Sequence, residues 1–223
     1  MKRCVVTKPD MHDMFDVVGE YTQSLLDEQA LPWSRKLGVY HPSSIRGCRR
    51  ALYYDRIGLV PHPRFTLNNL ALFDIGHALH NHIQAKLLLR NPDAIIEREA
   101  VSEALHIAGS CDMHFVRKDW LLEIKTVGSA TFKGLVGPTL DAVYQITCYM
   151  WMLDVPRAQL LYVNRDNGVR RLFKVRFDMA IFNKITDIIM YVEEFVEARV
   201  PPEREPNVGW GCYSCGHREV CGK

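Results

Sequence analysis

The stretch Gly109–Lys125, GSCDMHFVRKDWLLEIK, constrains this chain most, because it combines a predicted β-hairpin with a set of charged side chains. Side chains on a strand alternate between the two faces of a sheet, so Glu123 and Lys125 point the same way while Ile124 points into a core. Asp112 lies on the preceding strand, where a hairpin brings it beside Glu123. The stretch therefore gathers two carboxylates and one ammonium group at one point.

These charged groups suggest one chemistry. A hard cation such as Mg²⁺ or Mn²⁺ prefers carboxylate oxygens, and a neighbouring lysine can hold or activate an attacking water. Asp112, Glu123 and Lys125 therefore predict a centre that cleaves phosphodiester bonds. The competing interpretation is a charged face on a two-stranded ribbon, which is common, so other parts of the chain must support the first.

Composition limits the classes of protein to which the chain can belong. At 223 residues, with 48% hydrophobic and 24% charged residues, it suits one sizeable globular domain, and a net charge of +2 permits a nucleic-acid partner without demanding one. No run is long and apolar enough to span a membrane, and no secretory signal follows Lys2 and Arg3. An odd number of cysteines, seven, argues against a secreted disulfide framework, so a cytoplasmic protein is expected.

A basic helix is predicted ahead of the hairpin. It starts with a serine cap in His41–Ser44 and runs to about Ile57. Its basic residues beside Tyr53 and Tyr54 would suit phosphate groups and stacked bases, although a solvated basic face on a core helix is the alternative. These basic residues are Arg46, Arg49, Arg50 and Arg56.

A longer helix follows, roughly Asn68–Leu89, while apolar spacing over residues 10–29 predicts an earlier packing helix. Within the longer helix Gly76 and His80 are four residues apart and share a face, so the glycine leaves room for an approach to the histidine. A neutral imidazole can complete a metal site made of carboxylates, although a lone histidine is more often a surface or hydrogen-bonded residue.

The remaining elements alternate between strands and helices. A loop over the site is expected after Lys125, and a helix from Thr139 to about Leu153 carries Gln145 and Tyr149 on one face. An amphipathic helix from Met179 to about Arg199 is expected to cover the sheet. Strands are predicted at residues 94–100, 105–108, 158–164 and 169–177, in addition to the central hairpin.

The C-terminal tail carries Cys212, Cys215 and Cys221, a density for which metal ligation is the usual reason. A site with four thiolates needs one more cysteine, and Cys48 is the best candidate because it lies in the basic helix, whereas two of the others, Cys111 and Cys148, lie in apolar contexts beside the hairpin. His217 is the lesser alternative as the fourth ligand, in a zinc site.

Together these motifs resemble a known family. Gly76-x3-His80, Gly109-x2-Asp112, Glu123-x-Lys125 and Gln145-x3-Tyr149 resemble the RecB-like branch of the PD-(D/E)xK nucleases. One upstream cysteine followed by Cys-x2-Cys-x5-Cys is similar to its iron–sulfur members, which include the CRISPR-adaptation exonuclease and AddB-type nuclease domains. The resemblance covers Ser43 to Cys221, with Cys111 standing where the superfamily name has proline.

The resemblance implies a role for each of these residues. It implies that Mg²⁺ or Mn²⁺ binds His80, Asp112, Glu123 and the Ile124 carbonyl, and that Lys125 is the catalytic lysine. Gln145 and Tyr149 would support the site and the DNA. A 4Fe–4S cluster would be held by Cys48, Cys212, Cys215 and Cys221.

The resulting expectation is an α/β fold with a central mixed sheet flanked by helices, in one domain. A helical extension (residues 1–42) and a cysteine-rich segment (201–223, joined through Cys48) would flank the nuclease core (43–200). The expected function is a metal-dependent DNA exonuclease acting at single-stranded ends in recombination, repair or CRISPR adaptation. Because no P-loop motif is present, unwinding would come from a partner such as a helicase. The alternative is a DNA-binding or structural subunit of a larger complex.

Overall fold

A mixed sheet of five strands in the order β1-β2-β3-β4-β5 forms the centre of the protein. A computed structural model describes residues 17–30, 35–63, 65–205 and 212–222. Neighbouring strands are antiparallel except β3 and β4, which are parallel. The strands are β1 (Ala94–Ser102), β2 (Ile107–Phe115), β3 (Trp120–Val127), β4 (Arg157–Asn164) and β5 (Arg170–Arg176).

Helices lie on both faces of this sheet. Parallel strands cannot be joined by a tight turn, so the chain between β3 and β4 crosses over through two helices, the fourth and fifth in chain order. The helices are α1 (Val17–Ala30), α2 (Arg49–Arg56), α3 (Leu67–Leu88), α4 (Ser129–Gly134), α5 (Leu140–Met152), α6 (Met179–Ala198) and α7 (Arg218–Cys221). None of those in the described ranges is long and apolar enough to cross a membrane.

Each face of the sheet has its own apolar core. Ile146 and Met150 of α5 pack with Leu121 and Leu160 from the strands on one face. On the other face Ile83 and Leu87 of α3 pack against a cluster that includes Met113, Ile124 and Val163. Alternating strand residues thus enter opposite cores, as strand geometry requires. The predicted fold, a central mixed sheet flanked by helices, is confirmed.

The boundaries of α3 follow from its sequence. Thr66 caps the helix by accepting a hydrogen bond from the Asn69 backbone, and the Asn69 side chain reciprocates at the Thr66 N–H. The predicted helix, roughly Asn68–Leu89, therefore agrees with the structure to within one residue at each end.

The predicted basic helix is wrong as a single element. Residues Pro42–Ser44 form a short 3₁₀ helix without a side-chain cap, the Gly47 N–H donates to the Ser44 carbonyl (2.7 Å), and Cys48 is extended (φ −60°, ψ 127°) ahead of α2. Helical spacing continues across this turn in the sequence, so periodicity did not reveal the break. Cys48 consequently lies at the start of a helix, where its side chain can face another segment.

Three smaller predictions also change, and a fourth is only partly covered by the described residues. Residues 105–108 form no separate strand, because a turn from Glu103 to His106 leads directly into β2. The predicted loop after Lys125 contains α4, whose Phe132 is buried in a core. Helix α6 packs chiefly on α2 and α5 instead of on the sheet. The first residues of the helix predicted over 10–29 lie outside the described residues.

Candidate active site

A carboxylate, an amide and an ammonium group form one connected network at the centre of the sheet. Gln145 Nε2 donates to Glu123 Oε1 (2.7 Å), and Lys125 Nζ donates to both Glu123 Oε1 (3.0 Å) and Gln145 Oε1 (2.6 Å). Strand β3 supplies Glu123 and Lys125 on one face, as the predicted alternation requires, while α5 supplies Gln145. The network holds the lysine in one place.

Asp112 lies beside this network on β2. Its Oδ2 accepts the backbone N–H of Ile124 (2.5 Å) and lies 3.6 Å from His80 Nδ1. Burial opposes protonation of His80, but the hydrogen bond and charge of Asp112 and the charge of Glu123 outweigh it, so the pKa of His80 is raised. Helix α3 thus brings a histidine to the two carboxylates.

The separation of β2 from β3 creates room for this site. Only three residues of each strand are paired, next to the turn of the hairpin. The first pair is Met113 with Leu122, and the last is Phe115 with Trp120. On its other side β3 pairs with β4 over a longer stretch, from Leu121 to Val127. Asp112 and Glu123 therefore lie where the two strands begin to diverge.

Glu123 is buried to an extent that is unusual for an acid. Only 3% of the residue is exposed, and Oε2 has no hydrogen-bond partner among the described residues. Burial and the charge of Asp112 raise the pKa of Glu123, while Lys125 and His80 oppose the rise. A buried carboxylate oxygen without a donor is costly unless a cation satisfies it.

The donor set at this point fits a hard divalent cation. Among the described residues no group of three or more histidine, cysteine or acidic side chains is already arranged to hold a metal ion. Even so, His80 Nδ1 lies 3.6 Å from the Asp112 carboxylate, and both groups interact electrostatically with Glu123, whose Oε2 has no hydrogen-bond partner among the described residues. Oxygen donors completed by one imidazole nitrogen suit Mg²⁺ or Mn²⁺.

Tyr149 lies one helical turn beyond Gln145 and is buried. Burial, followed by the charge of Glu123, raises its pKa far above the usual range. A Cβ atom added at Gly109 would lie 2.9 Å from Tyr149 Oη and 3.0 Å from Pro42 Cδ. The absence of a side chain at Gly109 therefore lets α5 and the 3₁₀ helix meet over β2.

Two expectations about neighbouring residues change. A Cβ added at Gly76 would lie 3.2 Å from Thr126 Oγ1, so this glycine allows α3 to approach β3 closely. The space that was expected to give access to His80 is therefore occupied by Thr126 of β3. Tyr53 and Tyr54 are 5% and 8% exposed, which excludes the expected stacking of bases on them.

The arginines of the basic segment also have partners within the protein. Arg46 pairs with Asp141 (2.6 Å), and Arg56 pairs with Glu193 (2.7 Å). Arg50 Nη1 donates to the Pro202 carbonyl. These contacts join α2 and its preceding turn to α5, α6 and the C-terminal segment, which favours the alternative that the sequence left open, a role in packing.

Sequence reasoning missed two residues beside Asp112. Gln84 is buried on α3, and its Nε2 donates to the Asp112 carbonyl (3.0 Å) and to Glu97 Oε1 (2.7 Å). The available signal was spacing, because Gln84 follows His80 by four residues on an otherwise apolar stripe. The second missed residue is Glu97 on β1, and its contact with Gln84 could not be predicted from that spacing.

The four cysteines selected from the sequence line one cavity of about 180 Å³, together with His217. Burial, and then the nearby thiols, raise the pKa of Cys215, while a hydrogen bond from the His217 backbone lowers it. Sulfur donors in such a group fit zinc or an iron–sulfur cluster. The cysteines are Cys48, Cys212, Cys215 and Cys221.

His217 keeps the zinc alternative open. Its Nε2 contacts Asp55 Oδ1 at 2.7 Å, while its buried Nδ1 has no hydrogen-bond partner among the described residues. The segment around it is docked on the rest of the protein, since the His62 N–H donates to the Gly216 carbonyl (2.8 Å). A carboxylate that orients a ligating histidine is a common outer contact in metal sites.

Comparison with known proteins identifies the fold. No family model and no curated protein matches the chain. The crystal structure of SSO0001 is similar with a TM-score of 0.57 and 20% identity over 92% of this chain and 95% of that one. The alkaline exonuclease LHK-Exo from Laribacter hongkongensis has a TM-score of 0.56, with 14% identity over 79% and 93%. Its complex with dAMP has a TM-score of 0.58, with 15% identity over 73% and 90%.

Proposed function

We propose that this protein is a metal-dependent DNA exonuclease that hydrolyses phosphodiester bonds, with single-stranded ends as its expected substrate. The observation that carries the proposal is the network of Glu123, Lys125 and Gln145 beside Asp112, with one buried Glu123 oxygen that has no donor within the described part of the chain. A fold shared with an alkaline exonuclease supports the reaction class.

The metal would be Mg²⁺ or Mn²⁺. When bound, it supplies Lewis-acid polarisation of the scissile phosphate and a lower pKa for water at the site. It also removes the cost of holding two carboxylates close together in a buried place. The groups proposed to hold it are the side chains of His80, Asp112 and Glu123 and the carbonyl of Ile124.

Lys125 is proposed as the catalytic lysine because of its free hydrogen-bonding capacity. An ammonium group has three donors, and Lys125 spends two of them on Glu123 and Gln145. The third remains for a water or a phosphate oxygen, and 28% exposure of the side chain makes it accessible. Gln145 accepts a hydrogen bond from the ammonium group and is proposed to fix its position. Tyr149, whose hydroxyl interacts with the Gln145 side chain, is proposed to support Gln145 on α5.

The thiol-lined cavity is proposed to hold a 4Fe–4S cluster, with zinc as the lesser alternative. Four cysteine side chains around one cavity support the proposal, and the group would join α2 to the C-terminal segment. Because thiolates from distant parts of the chain share one group, its binding free energy contributes to folding.

The test is the shortening of end-labelled linear DNA in Mg²⁺, Mn²⁺ or EDTA by the wild type and by Glu123→Gln. The substitution preserves shape but removes the carboxylate, so we expect metal-dependent activity to fall at least about 100-fold, the upper end of the cost of losing an outer contact of a metal ligand. A covalently closed circle of the same sequence should resist the wild type if cleavage requires an end.

The matched control is Glu193→Gln. Glu193 is a partly buried acid that accepts hydrogen bonds from Tyr40 and Arg56, away from the candidate site. Its substitution should lower stability and leave the turnover of folded protein unchanged. Equal activity of Glu123→Gln and the wild type, or activity that persists in EDTA, would exclude the proposed site; binding of DNA without cleavage by the wild type would favour a binding subunit.

A further inference from the structure

Asp112 occupies a gap in the pairing of the sheet. Strand β1 pairs with β2 from Ala94 opposite Phe115 to Ser102 opposite Ile107. The pair of Glu97 with Asp112 is missing from this register, although the pairs on either side of it are present. On the other side of β2, pairing with β3 stops at Met113. The strand ladder therefore does not hold the backbone at Asp112 as it holds the flanking residues.

The conformation of Glu97 accounts for the interruption on the β1 side. Its φ of +47° lies in the left-handed region, which is uncommon for a glutamate and turns its peptide groups out of the ladder. Both carboxylate oxygens have partners: Oε1 accepts Gln84 Nε2 (2.7 Å), and Oε2 accepts Ser110 Oγ (3.1 Å). These contacts stabilise a backbone conformation that is otherwise disfavoured.

Gln84 supplies the missing support from outside the sheet. It is 3% exposed, and its amide nitrogen donates to both the Asp112 carbonyl (3.0 Å) and Glu97 Oε1. An amide has two N–H donors, so the two bonds use its full donor capacity. The same helix presents His80 one turn earlier, 3.6 Å from the Asp112 carboxylate.

We propose that Gln84 and Glu97 form a positioning pair that holds Asp112 in the orientation needed for metal binding and sets its distance from His80. The inference rests on the proposed function for the metal itself. The bond to Asp112 replaces strand pairing with a side-chain contact from α3, and Glu97 orients the amide of Gln84. Neither residue of the pair is proposed to touch the metal or the substrate.

The first test uses metal-free protein. Gln84→Met keeps the length and helix preference of the side chain but removes the amide, so the Asp112 carboxylate should be held less firmly on the Ile124 N–H. We expect hydrogen exchange of the Ile124 amide to quicken about tenfold relative to the amides of β4, which report global stability. Tyr40→Phe, which removes a partly buried hydrogen bond to Glu193, is the matched control. It should change the exchange rates of the Ile124 amide and of the β4 amides by equal factors.

The second test is Mn²⁺ affinity measured by calorimetric titration of the full chain. Gln84→Met should weaken binding roughly 10–100-fold, as loss of an outer contact of a metal ligand does. Glu97→Gln keeps an acceptor for the amide and should bind Mn²⁺ within about threefold of the wild type, a margin below 1 kcal/mol.

The outcomes separate this proposal from the proposed function. Unchanged relative exchange of Ile124 in Gln84→Met overturns the positioning role, whether or not metal binds. Normal Mn²⁺ affinity in that variant does the same. A wild type that binds no Mn²⁺ overturns the proposed metal site. Faster Ile124 exchange in Gln84→Met would then still show that the pair holds Asp112 in place. Loss of affinity in Glu97→Gln would make Glu97 a metal ligand and contradict the role given to it here.

Discussion

At the residue scale, the environment of Glu123 explains why an amide stands at position 145. Glu123 Oε1 accepts from both Lys125 and Gln145, and Gln145 in turn accepts from Lys125. A glutamine can donate to a carboxylate and accept from an ammonium group at the same time, which neither an ionised carboxylate nor an apolar side chain can do. The amide therefore connects two charges and stabilises their geometry.

Gln145→Leu should separate positioning from folding. The substitution leaves the lysine bonded to Glu123 alone, so we expect turnover to fall about 10–100-fold while the apparent affinity for DNA changes little. Stability should decrease by about 1–3 kcal/mol because buried polar groups lose a partner.

The control is Gln159→Leu on β4, a partly buried glutamine away from the site. The two variants are compared by their steady-state rates of cleavage of end-labelled DNA and by their unfolding in urea. Equal turnover in the two variants would contradict a positioning role for Gln145.

At the element scale, the site depends on where α5 and the 3₁₀ helix meet above β2. Gly109 permits this contact, because any side chain there would meet both the hydroxyl of Tyr149 and the ring of Pro42. Tyr149 lies one turn from Gln145, so a displacement of α5 would also move the proposed catalytic network. A residue without a side chain on β2 thus governs the position of a helix.

Gly109→Ala should therefore destabilise the protein and reduce its activity together. The added methyl would lie 2.9 Å from Tyr149 Oη, and overpacking of this kind costs about 1–3 kcal/mol. Thermal unfolding and cleavage rates measure the two effects.

Gly134→Ala is the matched control, since a Cβ there meets nothing within 4 Å. It should leave activity unchanged and stability equal or slightly higher, because alanine favours helices. Adding Tyr149→Phe to Gly109→Ala removes the nearest clash and should recover part of the lost stability. A Gly109→Ala protein as stable as the wild type would mean that the contact relaxes without cost.

At the scale of the whole molecule, distant parts of the chain are joined at α2. Arg56 and Tyr40 both donate to Glu193 on α6. At the other end of α2, the Arg49 N–H donates to Glu205, and the four cysteines surround their cavity close by. A metal group in that cavity would connect the start of α2 to the last described residues and stabilise the arrangement as a unit.

Cys48→Ser should lower both metal content and stability. We expect iron and acid-labile sulfide to fall and the unfolding temperature of protein purified without oxygen to drop at least about 2–4 °C, the shift that corresponds to about 1 kcal/mol for a chain of this size. Cys4→Ser, outside the proposed set, is the control and should retain the wild-type metal content.

His217→Ala distinguishes the two metal groups. The iron content of the variant should equal that of the wild type if four thiolates bind a cluster. A zinc site that uses His217 would instead lose its zinc. Wild-type protein that contains neither iron nor zinc, together with an unchanged unfolding temperature for Cys48→Ser, would contradict a metal group in this cavity.

Much of this arrangement could be predicted because it is local. The two-residue period placed Glu123 and Lys125 on one face with Ile124 in the opposite core. The strands predicted at residues 158–164 and 169–177 pair as the β4–β5 hairpin. The break between Gly47 and α2 was missed because the turn is compatible with helical spacing. Gln84 was missed because its role depends on Glu97, whose left-handed backbone no local pattern indicated.

The sequence by itself determined the kinds of element, their order and the donor types available for chemistry, since periodicity and residue chemistry are properties of short segments. The tertiary structure alone decided three matters. It interrupted strand pairing at Asp112, buried one oxygen of Glu123 away from any donor of the described residues, and brought Cys48 to the C-terminal cysteines. Each depends on groups far apart in the chain that approach in space, and only there do burial, charge and hydrogen bonding act on one another.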